Sequence, residues 1–234
     1  MKKIAFLPAL LLTAASSAFA QDTDFSASAT YAFESEFNFR GFQIAGDTFT
    51  PSAEGRINSG LDTYYFGVRT ALPTEKDDNR VKMHEYYAGG EFHFGEKFAV
   101  DLGVSHYQFL PFSEDSATEG ILGLTWKGPL NPSLYVYADT DGDMLTFEGS
   151  LGHAIVIDQK SALLFTGYVG TTDFHVGSNY AGFMIDYSYS FTRYARFAVG
   201  GRIARLDPDA PDAGDELVEA DTRVWWGVSF TAGF

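Results

Sequence analysis

The sequence predicts an all-β protein: a transmembrane antiparallel up-and-down β-barrel of about 12 strands, placed in a bacterial outer membrane after a signal peptide is cleaved. Three observations predict it. The C-terminal segment alternates apolar and small or polar residues up to its last position, the N-terminus carries a secretory leader, and strand-length dyad patterns recur between them. In the C-terminal segment Val224, Trp226, Val228, Phe230, Ala232 and Phe234 alternate with Arg223, Trp225, Gly227, Ser229, Thr231 and Gly233. A strand sends successive side chains to opposite faces, so the first set forms a greasy face and the second a smaller, more polar one. Lipid solvates such a greasy face well, whereas a soluble protein gains little from it.

This ending, closed by Phe234, resembles the signal by which barrel-assembly machinery takes up outer-membrane proteins. At the other end Lys2 and Lys3 precede an apolar run, Ile4 to Ala15, that is too short to cross a bilayer as a helix. Ala18-Phe19-Ala20 then supplies a small-x-small cleavage site. The expected organisation is a signal peptide over 1–20 and a barrel domain over 21–234. Without Lys2 and Lys3 the 16 basic residues fall to 14 against 31 acidic ones, and the formal charge of −15 becomes −17.

Segments of roughly 9 to 13 residues with period-two alternation follow one another. The first sets Phe25, Ala27, Ala29, Tyr31 and Phe33 against Ser26, Ser28, Thr30 and Glu34. The second runs from about Thr48 to Ile57, and the third carries Tyr64, Phe66, Val68 and Leu72. Tyr86, Ala88, Phe92 and Phe94 mark the fourth, Phe98 to Val104 the fifth, and Leu122, Leu124 and Trp126 the sixth. Leu134, Val136 and Ala138 mark the seventh, Leu145 to Leu151 the eighth, and Leu163 to Val169 the ninth. Phe183 to Tyr189, Ala195 to Ile203 and the C-terminal segment complete the set.

The connections alternate as a barrel requires. Short turns are expected at Asn58 to Gly60, Gly95 to Lys97, Gly128 to Pro132, Asp158 to Ser161 and Thr192-Arg193. Longer polar loops are expected at Arg40 to Asp47, Pro73 to Arg80, Leu110 to Glu119, Thr171 to Ser178 and Asp207 to Asp221. Only Thr140 to Asp143, a short outer loop, breaks the rhythm.

Composition agrees. Aromatics make up 16%, yet mean hydropathy is only −0.09, as alternation produces. No run after the leader approaches 18 apolar residues, so no transmembrane helix is expected. The absence of Cys suits passage through an oxidising periplasm without disulfides. An acidic balance excludes nucleic acid as a partner, since phosphate binding needs clustered Lys and Arg. A soluble β-sandwich would also alternate, but its strands average about 5 to 6 residues, shorter than these.

If the apolar set faces lipid, the other set lines the lumen. That assigns Glu34, Glu54, Arg56, Arg69, Glu85, Glu91, Asp101, Glu148, Asp186, Arg196, Arg202 and Arg223 to the pore, with Tyr65, Tyr87, Tyr135, Tyr137 and Tyr168 among them. On the lipid face a midplane Arg or Lys would cost about 2 to 4 kcal/mol. The expected arrangement is a basic side of Arg56, Arg69, Arg196, Arg202 and Arg223 opposed to an acidic side of Glu85, Glu91, Asp101, Glu148 and Asp186, across a narrow channel kept roomy by Gly, Ser and Thr. In the alternative, the same ions pair and fill the lumen. Acidic mouth loops would favour cations weakly.

Ser35-Glu36-Phe37-Asn38-Phe39-Arg40-Gly41-Phe42-Gln43 with Pro51-Ser52, and Glu85-Tyr86-Tyr87-Ala88-Gly89-Gly90, resemble blocks of the TorF-type porin family. The resemblance implies a barrel of this size and a porin-like role. Phe37 stands where the family more usually has Tyr, and the loops here are more acidic. Arg40 is singled out: it would fold into the channel mouth, or serve structurally through an ion pair or hydrogen bonds to loop carbonyls beside Gly41.

Other chemistry is weaker. Asp139-Thr140-Asp141-Gly142-Asp143 looks like a calcium loop, but position twelve is Ser150 instead of an acid, so no metal site is expected. Asp207 to Asp221 is a solvated acidic loop that would meet lipopolysaccharide through shared divalent cations. His84, His93, His106, His153 and His175 lack metal spacing and a recognisable Ser motif, although His84, His106 and His175 sit where a catalytic pair is possible. The expectation is a passive, non-enzymatic porin-like channel for small hydrophilic solutes or ions, contacting outer-membrane lipid and lipopolysaccharide and needing no cofactor. The alternatives are a closed surface-binding barrel and, less favoured, a lipid hydrolase.

Overall fold

The computed structural model describes residues 23–74, 82–110, 116–140, 144–173, 178–208 and 221–234. The expected signal peptide, His175, residues 141–143 and most of the acidic loop Asp207 to Asp221 lie outside these residues.

The chain is built from β1 (Thr23–Glu34), β2 (Phe37–Phe39), β3 (Phe42–Ala45), β4 (Thr48–Ser59), β5 (Asp62–Pro73), β6 (Lys82–Phe94) and β7 (Phe98–Leu110). It continues through β8 (Ala117–Trp126), β9 (Ser133–Asp139), β10 (Leu145–Val156), β11 (Ser161–Thr172), β12 (Ser178–Thr192), β13 (Ala195–Pro208) and β14 (Asp221–Gly233). All but β2 and β3 join one closed barrel of twelve antiparallel strands, each paired with its sequence neighbour. The seam joins β1 to β14 from Ser28↔Gly233 to Glu34↔Gly227. It extends to Ala27 and Phe234, whose backbone groups exchange hydrogen bonds of 3.1 and 3.0 Å. Closure leaves no strand edge unpaired, the condition for a sheet to sit in hydrocarbon.

Strand length matches that use. β4 has 12 residues. At about 3.4 Å per residue and a tilt near 45°, twelve residues cover roughly 29 Å along the normal, close to the ~30 Å hydrocarbon core.

Burial is inverted relative to a soluble protein. Val224 is 73% exposed and Leu102 49%, while Met83, on the opposite face of its strand, is 0% exposed. Near the short turns, Phe94, Phe98 and Trp126 form a cross-strand aromatic row on the outside, all exposed. Near the loops, the Phe33 and Trp226 rings meet at a tilt, 5.4 Å between centroids. Aromatic residues at both rims of an apolar band are the pattern of a barrel seated in a bilayer. Among the described residues no helix is long and apolar enough to cross a membrane.

The segment Arg40 to Asp47 departs from expectation. It is no polar outer loop: β2 and β3 form a hairpin that turns back into the loop end of the barrel. The physical reason lies in its apolar face. Phe37 and Ala45 pack against Ala71, Met83 and Tyr107 on the inner wall, flanked by Phe39, Ile44 and Phe109. The turn between the strands is Arg40-Gly41, with φ of +51° and +83°. Two consecutive positive φ values are those of a type I′ hairpin, whose twist matches the flanking strands. Only glycine fits the second position, because a Cβ on Gly41 would lie 2.7 Å from the Tyr180 Cβ.

Candidate channel interior

Two interior cavities are lined by described residues. The larger, about 740 Å³, occupies the loop half and is lined by Glu34, Arg69, Glu85, Asp101, Glu148 and Arg202, with the hairpin tip projecting into it. The smaller, about 480 Å³, lies by the short turns and includes Glu54, Arg56 and Arg196. The Tyr87 hydroxyl, from the wall of the first, donates to Glu54 in the wall of the second at 2.9 Å.

Arg40 crosses the lumen from the hairpin tip. Its Nη1 donates to Glu119 Oε1 on β8 at 2.5 Å, and its Nη2 to Oε2. The guanidinium lies between the rings of Phe39 and Tyr137, 4.8 Å from each centroid. The two side chains are only 7% and 4% exposed. A bidentate pair clamped between aromatic faces, away from water, is geometrically specific and costly to break from one side.

Glu119 was not among the expected lumen residues. The segment Leu110 to Glu119 reads as a loop, but β8 begins at Ala117. Parity alone would have found it: with Leu122, Leu124 and Trp126 outward, Glu119 falls on the inward set.

Most of the remaining charges form local pairs instead of two opposed ladders. Arg69 and Glu85 face each other across β5 and β6 and pair at 2.6 Å. Ser105 adds a bond to Glu85 at 3.2 Å. Arg202 lies 3.1 Å from Asp186 and 3.5 Å from Glu34, which also accepts from Trp225 Nε1 at 3.1 Å. Arg56 pairs with Glu54 at 2.5 Å. Glu91 pairs with Lys127 at 3.0 Å and lies 2.9 Å from His93. Arg223, at the loop end, contacts Asp221 at 2.5 Å and Glu36 at 3.7 Å, and donates to Gln43 on the hairpin. Desolvation favours the pairing: an ion held against a protein wall keeps its charge most cheaply with a counter-ion close by.

Two carboxylates have tyrosine partners in place of cations. Asp101 accepts from Tyr65 at 2.7 Å and Tyr135 at 3.4 Å, and Glu148 from Tyr180 at 2.8 Å. Those tyrosines lie flat on the wall because glycines make room. Tyr65↔Gly89, Gly67↔Tyr87, Gly123↔Tyr135, Tyr168↔Gly182 and Gly170↔Tyr180 are directly cross-strand pairs. A Cβ on any of these glycines would stand 2.3 to 2.4 Å from the tyrosine side chain opposite. The glycine space expected to widen the lumen is therefore occupied by rings that lie along the wall.

His84 and His106 are diagonal neighbours on β6 and β7, and each turns to a threonine. His84 Nδ1 lies 3.0 Å from Thr70 Oγ1, and His106 Nδ1 2.9 Å from Thr118 Oγ1. By strand parity His84 shares the outward face of Tyr86, and His106 that of Leu102 and Val104, so neither belongs to the cavities. Among the described residues no group of three or more potential metal ligands comes together.

No family model matches the chain, and no curated protein matches it by sequence. Solved structures do match its fold. A KdgM porin superposes with a TM-score of 0.56 at 10% identity, covering 88% of this chain and 99% of that one. An outer membrane channel from Pseudomonas putida F1 superposes at 0.53 and 10% identity, over 92% and 97% of the two chains. A NanC porin gives 0.53 at 9% identity, over 88% and 98%. At these identities what is shared is the barrel, over nearly the full length of each chain.

Proposed function

We propose that the protein is a porin-like channel of a bacterial outer membrane, passively admitting small hydrophilic solutes or ions. The observation that carries the reading is a closed barrel with an apolar exterior and charged interior cavities, narrowed at one end by an infolded hairpin. Similarity to porin-type barrels supports it at the level of fold. Short turns would face the periplasm and long loops the cell surface, where they meet lipopolysaccharide. β14 is the strand that barrel-assembly machinery would engage. The resemblance to the TorF-type porins remains part of this reading, because its Ser35 to Gln43 block forms most of the hairpin and its turn. No catalytic role is assigned, and transport down a gradient needs no cofactor.

Selectivity belongs to the same proposal. Pore-lining roles fall to Glu34, Arg69, Glu85, Asp101, Glu148, Asp186 and Arg202 in the outer half, and to Arg56 and Arg196 in the inner half. Glu91 lines the turn end, Arg223 the loop end, and Arg40 holds the mouth. Carboxylates outnumber guanidinium groups in the outer half, which supports a weak preference for cations.

The test is single-channel conductance of the refolded chain in a planar bilayer under a salt gradient. Discrete steps support a pore. Silence from demonstrably inserted protein would favour the second reading, a closed barrel working through its loops. That reading draws on one observation, the apolar packing that seats the hairpin in the mouth.

A further inference from the structure

In the larger cavity each arginine has a carboxylate beside it; in the smaller cavity one does not. Its lining carries three guanidinium groups, Arg56, Arg193 and Arg196, against the Glu54 side chain and the terminal carboxylate of Phe234. Glu54 is already taken by Arg56 at 2.5 Å and by the Tyr87 hydroxyl at 2.9 Å. Arg193, in the turn after β12, lies over the Tyr194 ring at 4.4 Å.

Arg196 differs from every other arginine on the barrel strands. Arg56, Arg69, Arg202, Arg205 and Arg223 each have an acidic partner. Arg196 has neither an ion pair nor a side-chain hydrogen bond among the described residues. Its cross-strand neighbours are hydroxyl residues, Ser190 on β12 and Thr231 on β14. The row continues to Thr30, whose Oγ1 lies 2.9 Å from that of Thr231. A wall that only fills space pairs its arginine with an acid, as Arg69 does with Glu85. Hydroxyls beside a guanidinium add donors and leave its charge uncompensated.

We propose that the turn-end cavity is a binding site for a small oxyanion, the carboxylate or phosphate group of a hydrophilic solute. Arg196 is its bidentate donor, Ser190 and Thr231 supply neutral donors, and Arg193 adds to the positive field. Guanidinium matches the planar oxygen pair of a carboxylate, and a phosphate face, better than any other side chain. The volume of about 480 Å³ lies within the range of small-molecule sites, roughly 300 to 1,000 Å³, and far exceeds what a bare ion needs. The inference rests on the channel reading for its biological meaning, since the site would hold a solute in transit.

Gluconate and inorganic phosphate are the probes, titrated calorimetrically into the detergent-folded barrel, which needs no conduction. Millimolar binding by the wild type, weakened about tenfold in Arg196→Gln and retained in Arg196→Lys, is the expected result. Preference for gluconate or for phosphate separates the two sources of the oxyanion. Binding unchanged in Arg196→Gln, or absent in the wild type, overturns the site. Arg196 faces open water, so the variant is expected to fold, and heat-shifted gel mobility verifies it. Conductance of the same sample is scored separately: silence with gluconate bound removes the channel and keeps the site, and steps without binding do the reverse.

Discussion

Arg40 and Glu119, 79 positions apart in sequence, form a bidentate ion pair that fixes the tip of an infolded hairpin to the far wall of the barrel. The hairpin has its own apolar seat, so the pair adds position to an element that burial already holds inside. Glu119→Gln keeps the shape and removes the charge, leaving Arg40 as a buried cation without a counter-ion. Losing one partner of such a pair costs about 3 to 5 kcal/mol. A lower urea midpoint and a conductance raised severalfold, through an intermittently released hairpin, are expected. Unaltered conductance in a folded Glu119→Gln barrel would mean the hairpin does not set the constriction.

Tyrosine rings lying over glycines set the bore of the outer half. In Gly182→Val the new side chain takes the space of the Tyr168 ring and drives it toward the axis. Overpacking of this kind costs about 1 to 3 kcal/mol. The double variant Gly182→Val with Tyr168→Ala should recover much of that loss, a coupling readable in a double-mutant cycle of unfolding midpoints. Additive losses would show that ring and glycine do not share the space.

The two halves of the lumen carry opposite excess charge. Asp101 and Glu148 are ion-unpaired carboxylates in the outer cavity, and Arg196 is an unpaired cation in the inner one. Fixed charge of opposite sign along one pore concentrates cations at one end and anions at the other. Current in symmetric dilute salt should therefore differ between voltage polarities, with the asymmetry fading in molar salt as the Debye length falls to about 3 Å. Asp101→Asn with Glu148→Gln should shift the reversal potential toward anions. A linear current–voltage curve at low salt contradicts this charge layout.

Much of the barrel is legible in the sequence because period-two alternation is local. Lipid on one side and water on the other force each strand to declare its faces, and all twelve barrel strands appear where the alternation puts them. The hairpin is not legible in that way. Phe37-Asn38-Phe39 and Phe42 to Ala45 are too short for periodicity to register, and their apolar partners Met83 and Tyr107 lie far along the chain. The lumen residues follow from parity, but their partners do not. Nothing local says that Arg202 turns to Asp186 and Glu34, or that Arg40 reaches Glu119. Those are questions of register, and register depends on how the whole sheet closes.

Arg202 and Arg196 lie on the same strand and the same face, six residues apart, and their environments predict opposite sensitivities. Arg202 is 14% exposed and sits between Asp186 and Glu34, and Glu34 is further tied to Trp225. Arg202→Met strands two carboxylates against the wall, and a loss of about 3 to 5 kcal/mol is expected. Arg196→Met removes a water-facing group with no partner, and a change within about 0.5 kcal/mol is expected, as for ordinary surface substitutions. Urea unfolding of both variants in one lipid, followed by tryptophan fluorescence, makes the comparison. Trp225 reports directly on the Arg202 network through Glu34. Equal midpoints for the two variants would show that the pairing around Arg202 contributes nothing net to the fold, and that its role lies in the pore field alone.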